Sequence, residues 1–352
     1  MRRTFALMIL VSSCMIVMNC FRTMPMHDPI YPTKGADIVY SLDVWAYNGV
    51  ANVKLYERVY SLDASGSISF GAEMLIHEWD PPGTPNSTTL EYKKVGGYAA
   101  NSLIRYRFLV KDKLGNTRSH HVIFAIDPFP FTAHPAPVYV QGDINHVFDV
   151  VFIPDTDITD MAVFRSHCRS MILDAIFAEN TIDHWWNRQF NFFINPDRGT
   201  ATDANRISQD GLHQKPANWA NLSFAEVKVI MHQNDLRDYA YGKLFSTEQQ
   251  NRGTMMHEAG HAMFHLADEY PGGSHWQEAI LPNNWATLQA AQADAPSRHK
   301  TAADAVEIGT DGWYKICDDN CQMKLSGLNL SHYDLPCGDR VIYCIIDNAT
   351  NP

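Results

Sequence analysis

The sequence predicts an α+β chain in two parts: an N-terminal β-sandwich, then a mixed α/β domain organised around one helix. Three observations carry this. Residues from about 35 to 130 hold short runs rich in Val, Ile, Tyr and Phe, separated by turn signals. A stretch with four prolines, DPFPFTAHPAPVYVQGD, then divides the chain. Beyond it, apolar strand-like runs and a helical run lead to MMHEAGHAMFHLADEY at residues 255–270.

The 352 residues suit about two domains. With 45% hydrophobic and 19% charged residues, the composition is that of a globular chain. Its net charge is −11, and no basic run is present to neutralise phosphates, which argues against a nucleic-acid partner.

The chain begins like an exported protein. Arg2 and Arg3 precede FALMILVSSCMIVM, an apolar run too short and too early for a comfortable membrane span. Cys14, after Val11-Ser12-Ser13, resembles a bacterial lipoprotein cleavage box, and Cys20 is the poorer candidate. Membrane attachment through an N-terminal lipid anchor therefore stands beside simple cleavage or an uncleaved anchor. Residues 1–25 are set apart from the fold, and an extracytoplasmic location is expected, whether secreted, periplasmic or as a surface lipoprotein.

The sandwich is expected over residues 27–135. Its strand runs include ADIVYSLDVWAY, ANVKLYERVYSL, LIRYRFLVKD and SHHVIFAID, with turns at Asn48-Gly49, Ser65-Gly66, Pro81-Pro82-Gly83 and Gly115-Asn116. His120 and His121 point to opposite faces of a strand and so make a poor metal pair.

The second domain is expected over residues 144–352. HVFDVVFIPD reads as a buried strand, MAVFRSHCRSMILDAIFA as a helix, and RQFNFFIN and EVKVIMHQ as two further strands. Asp155, Asp157 and Asp160 lack the Gly and distal Glu of a Ca²⁺ loop and read as a helix-capping cluster. RDYAYGKLFS is irregular, with Tyr239 to Leu244 a candidate cleft rim by analogy. Residues 286–306 suggest a helix plus loop.

The chemistry is concentrated in the helix that follows. Ser246 and Gln249 are spaced as a capping box, and Met255, Ala259, Ala262, Met263 and Leu266 recur at helical spacing. His257 and His261 stand four apart, so their imidazoles lie on one helix face about 6 Å apart and can share an ion. Glu258 lies about 100° round the axis and can flank that ion without ligating it. H-E-x-x-H thus predicts a Zn²⁺ hydrolase with His257 and His261 as ligands and Glu258 as the base acting on a zinc-bound water. His265 lies about 12 Å along an unbroken helix from His257, too far for one ion. If the helix ends near Phe264 or His265, the chain can turn back and offer a carboxylate; Asp268 is preferred and Glu269 is its rival.

HEAGHAMFHLADEY resembles the active-site segment of the IgA-peptidase-type zinc metalloendopeptidases, which reads H-E-x-G-H followed by L-A-D-E-Y. The matching positions are His257, Glu258, Gly260, His261 and Leu266 to Tyr270. The resemblance implies a β-sandwich ahead of a zincin (metzincin-like) mixed α/β protease domain. It also implies a protein or peptide substrate, His257, His261 and Asp268 as ligands, and Glu258 as base. The family carries small glycines where this chain has Phe264 and His265. Met323, in Cys321-Gln322-Met323, matches a Cys-x-Met segment whose Met sits under the metal.

Tyr270, Tyr314 and Tyr333 are the tyrosines considered as oxyanion donors. Cys317, Cys321, Cys337 and Cys344 are read as disulfide-forming in preference to a Zn-Cys₄ cluster, and Cys168 as a free buried thiol. Two other readings compete: a secreted adhesin or glycan binder with a degenerate peptidase domain, and a zinc hydrolase for a non-peptide amide or ester.

Overall fold

The structure, a computed structural model, describes residues 21–63, 67–142, 146–182, 186–203, 213–316, 321–324 and 332–350. Cys14, Cys20 and Cys317 lie outside these, and the readings placed on them go no further. The chain is mixed α+β and mostly β, in two compact units, Met1–Pro130 and Phe131–Pro352. Among the described residues no helix is long and apolar enough to cross a membrane.

Among its described residues the first unit holds eight strands: β1 (Phe21–Asp28), β2 (Ile38–Ala46), β3 (Val50–Leu62), β4 (Ile68–Phe70), β5 (Met74–Trp79), β6 (Ser87–Lys94), β7 (Ser102–Asp112) and β8 (Thr117–Ala125). One antiparallel sheet runs β1-β2-β6; the other runs β4-β3-β7-β8, with β5 also paired to β3. Alternate residues of β2 and β7 are buried, as the two-residue period of a strand requires. The buried rings of the two sheets meet, with His27 stacked on Phe124 at 4.0 Å and Tyr40 4.9 Å from Tyr106. His120 is buried and lies 3.0 Å from the Thr23 hydroxyl, while His121 takes the other face. Strand β1 begins at Phe21, so residues 21–25, set apart in the sequence, pair with β2.

The second unit is built on a six-stranded sheet. Its strands are β9 (Ala136–Tyr139), β10 (Phe148–Pro154), β11 (Phe190–Ile194), β12 (Val227–His232), β13 (Ala240–Tyr241) and β14 (Leu244–Glu248), in the order β13-β14-β12-β10-β11-β9. The four inner strands are parallel; β9 and β13 are antiparallel edges. Every residue of β10, β11 and β12 is buried, which explains why their sequences are mostly apolar without two-residue alternation, interrupted only by Asp149, Asn191, Lys228 and His232. Strand β9 comes from inside the proline-rich stretch. Its Pro137 sits on an edge, where a missing N–H is tolerated.

Helix α1 (Met161–Ser170) continues into a π-helical turn, Met171–Ile176. Asp160 caps it, accepting from Ala162 N at 2.8 Å and Val163 N at 3.2 Å. Helix α2 (Arg252–Phe264) follows β14 and packs against it, the π-helical turn and the last helix. A small sheet then forms from β15 (Asn284–Trp285), β16 (Ala305–Glu307) and β17 (Tyr314–Ile316), with α3 (Leu288–Asp294) packed against it. Helix α4 (Leu335–Thr350) comes last.

Two expectations about α2 need correction. Ser246 does not cap it: Ser246 and Thr247 are committed to β14, in parallel register with Ile230 and Met231 of β12. The cap is Asn251, whose Oδ1 accepts from Thr254 N at 3.0 Å. Nor is α2 amphipathic. Eleven of its 13 residues are buried, so it is covered on all sides and not along one stripe.

Candidate metal centre

Helix α2 ends at Phe264, and His265 takes up the left-handed conformation at φ 55°, ψ 38°. This is the reversal a glycine would make at least cost, here made by a histidine. The Leu266 N–H returns to the Gly260 carbonyl at 3.0 Å and closes the last turn. The chain then doubles back, and Asp268 arrives beside the two histidines. Its Oδ1 lies 3.1 Å from His257 Nε2 and 3.2 Å from His261 Nε2.

The hydrogen bonds around this trio fix what its atoms can do. His257 Nδ1 is 3.1 Å from the Gln322 carbonyl oxygen, and His261 Nδ1 is 2.6 Å from that of Leu266. A carbonyl oxygen only accepts, so each Nδ1 carries the proton. In the neutral ring each Nε2 is then a bare lone pair. Asp268 Oδ1 is buried and makes no hydrogen bond despite the short distances. Its partner oxygen Oδ2 accepts from Ser274 N at 2.6 Å. Three electron-pair donors therefore converge with no hydrogen between them, an arrangement that a cation relieves. A tetrahedral centre with bonds of about 2.0–2.1 Å has ligand-to-ligand edges of about 3.3 Å, close to the spacings seen. The residues fit Zn²⁺.

Close packing holds the trio. A Cβ on Gly260 would lie 2.5 Å from Met323 Sδ and 3.2 Å from Tyr333 Oη, so only glycine lets the Met323 segment sit against α2. A Cβ on Gly273 would lie 2.5 Å from Asp268 Cβ. Asn284 Nδ2 and the His275 ring bond the Asp268 carbonyl, and Asn283 bonds both backbone groups of Ala267. Gly260→Ala is expected to lower stability by about 1–3 kcal/mol, since overpacking outweighs the gain in helix propensity of about 1 kcal/mol. A denaturant midpoint at or above wild type would contradict that packing.

Glu258 is 7% exposed and faces a cavity of about 730 Å³, which the trio also lines together with Tyr270 and Tyr239 to Gly242. Burial pushes the Glu258 carboxyl up to about 8, and the negative charges of Asp238 and Asp268 act in the same direction. Asp268 goes the other way: burial opposes ionisation, but the two adjacent imidazoles, when they carry a proton on Nε2, hold it well below the usual carboxylate range. In the metal-free protein, Glu258 keeps its proton to a higher pH when folded than when unfolded. Its contribution to stability is therefore complete below the unfolded carboxyl value, about 4.5, and is lost as pH rises through about 8. Metal-free Glu258→Gln protein is expected to lack this component of the fall in stability between those pH values. An unchanged pH–stability profile would contradict it.

Glu269 does not join the trio. It is 1% exposed and points behind the site, where Oε1 accepts from Asn283 Nδ2 at 3.0 Å and from Cys337 Sγ at 3.1 Å. His265 stands exposed at the helix end. Among the three tyrosines, Tyr270 lines the cavity. Tyr333 is buried with its hydroxyl on the Met256 carbonyl, and Tyr314 packs against the cluster around Trp285. Met323 is fully buried beneath α2. Cys168, Cys321, Cys337 and Cys344 are free and buried, so the expected disulfides are absent among these four. Asp155 Oδ2 accepts from Ala201 N–H, and Asp157 Oδ2 accepts from the Gln233 and Asn234 N–H groups. The supports missed in the sequence are the Gln322 carbonyl, Gly273, Ser274, Asn283 and Asn284. Pro271-Gly272-Gly273, directly after Tyr270, is the one turn signal in the sequence from which this loop was legible, and it was not used.

No protein-family model matches the chain, and no curated protein matches it. Among solved structures it is similar, over part of its length, to Spo0M, a sporulation control protein from Bacillus subtilis. That likeness has 8% identity, covers 34% of this chain and 64% of the other, and has a TM-score of 0.23. A second is to the putative ApaA protein from Bordetella pertussis, at 10% identity over 31% of this chain and 94% of that one, TM-score 0.20. A third is to a cycloisomaltooligosaccharide glucanotransferase from Paenibacillus sp., at 8% identity over 60% and 27%, TM-score 0.23. The chain spans less than two thirds of the length of the first and third. At such scores these likenesses carry no argument.

Proposed function

We propose that the protein is an exported zinc-dependent endopeptidase, with a β-sandwich ahead of a metzincin-like domain of the IgA-peptidase type. One observation carries the reading: His257 Nε2, His261 Nε2 and Asp268 Oδ1 converge as bare acceptors beside a buried Glu258 in an open cavity. Zn²⁺ held by these three residues would supply Lewis acidity, activating water and polarising a carbonyl.

The remaining work falls to the chain. Glu258 accepts the proton of the attacking water and passes it to the leaving amine. Its high proton affinity without metal suits a group that must hold a proton between the two events, and a dication nearby would draw it down toward the working range. The Gln322 and Leu266 carbonyls fix the imidazole tautomers, and Ser274 N–H orients Asp268. Tyr270 borders the cavity as a hydroxyl donor for the developing oxyanion.

A peptide substrate is favoured by strand β13. It is the edge of the six-stranded sheet, antiparallel to β14, and its residues line the cavity. An extended peptide can add to such an edge through main-chain hydrogen bonds while its scissile bond lies over the trio.

Zinc-loaded protein should be tested on a mixed-sequence peptide library alongside a panel of carboxylic esters and non-peptide amides. Cleavage of internal peptide bonds, abolished by a chelator and restored by zinc, is the expected result. Turnover confined to the esters or non-peptide amides would replace this reading with that of a different zinc hydrolase.

A further inference from the structure

We propose that Glu269, Cys321, Asp334 and Cys337 bind a second metal ion, a structural Zn²⁺, behind the first centre. Each offers one ligand atom, and all four atoms lie within 4.8 Å of one another. Cys337 Sγ is 3.1 Å from Glu269 Oε1 and 3.4 Å from Cys321 Sγ. A tetrahedral zinc with sulfur at about 2.3 Å and oxygen at about 2.0 Å has edges of about 3.3–3.8 Å, so a small adjustment closes the shell. Glu269, Cys321 and Cys337 are each at most 1% exposed. A second observation points to a ligand: Glu269 Oε2 is buried here with no hydrogen-bond partner.

The donor set selects the ion. Two thiols and two carboxylates suit a thiophilic divalent cation, and hard Ca²⁺ or Mg²⁺ would leave the sulfurs unused. Binding takes up one dication, and each cysteine gives its proton to solvent, so two protons leave. The completed site carries two excess negative charges. Asn283 Nδ2, 3.0 Å from Glu269 Oε1, and Cys337 N–H, 3.3 Å from Asp334 Oδ1, lie against them.

Such an ion would tie three segments together: the loop after α2, the Cys321-Gln322-Met323 segment and the start of α4. Gln322 holds His257 through its carbonyl, and Glu269 follows Asp268 directly. The second ion would thus position residues of the first centre without touching its substrate. The inference stands whether or not the first centre hydrolyses peptides.

Full-length protein purified without added thiol or oxidant should be analysed for zinc per chain, then reloaded with Co²⁺. Two ions per chain are expected, with a sulfur-to-cobalt charge-transfer band that the histidine–carboxylate centre cannot give. Cys321→Ser with Cys337→Ser should lose the band and one ion. His257→Ala should lose one ion and keep the band. Glu269→Gln should keep the band while weakening the affinity for that ion about 10–100-fold. If wild-type protein holds a single ion, lost with His257, and gives no thiolate band, the proposal is overturned, whether the two cysteines titrate as thiols or are joined as a disulfide.

Discussion

His257→Ala and His261→Ala are each expected to empty the trio of zinc and take hydrolysis to background. Each removes one of three protein ligands, and in metal sites even the loss of an outer-shell partner weakens binding about 10–100-fold. The effect should be local: neither ring contributes to the apolar core between the sheets of the first unit, which should remain folded by circular dichroism. Asp268→Asn should resemble the histidine variants, since the amide keeps the shape but loses the charge. Zinc retained at the trio by His261→Ala protein, together with full turnover, would remove the metal-site assignment.

Glu258→Gln is expected to keep zinc and lose about 10²–10⁴ in kcat, the usual range for removing a general base. Glutamine fills the same buried space at 7% exposure but cannot take up a proton. The loss should fall on kcat with little change in KM, because the side chain acts in the chemical step and not in holding peptide. Wild-type turnover in this variant would assign the base elsewhere.

Much of the centre was legible because its geometry is written in local spacing. A spacing of four positions places both histidine rings on one helical face, and the structure brings both rings to Asp268 at little over 3 Å. Axial distance already set His265 aside. The choice between Asp268 and Glu269 was not local. It depends on where α2 stops and on what lies behind it: His265 at φ 55° turns the chain, and Asn283 with Cys337 draws Glu269 away. The buried runs of β10, β11 and β12 were read as strands because both faces are covered.

Strand β14 and the start of α2 were misread for a related reason. Ser246 and Gln249 have the right spacing for a capping box, but pairing with β12 claims Ser246 first. Strand β9 was hidden by its prolines, and β1 by the apolar run before it, which led residues 21–25 to be set apart. The Gln322 carbonyl, 65 residues from His257 in sequence, leaves no trace that spacing can reveal.

The most direct measurement is an anomalous-scattering map at the zinc absorption edge from crystals of the zinc-loaded protein. A peak is expected at the point shared by His257 Nε2, His261 Nε2 and Asp268 Oδ1, about 2.0–2.2 Å from each. No density there, or an ion held by Glu269 or His265 in place of Asp268, would contradict the account.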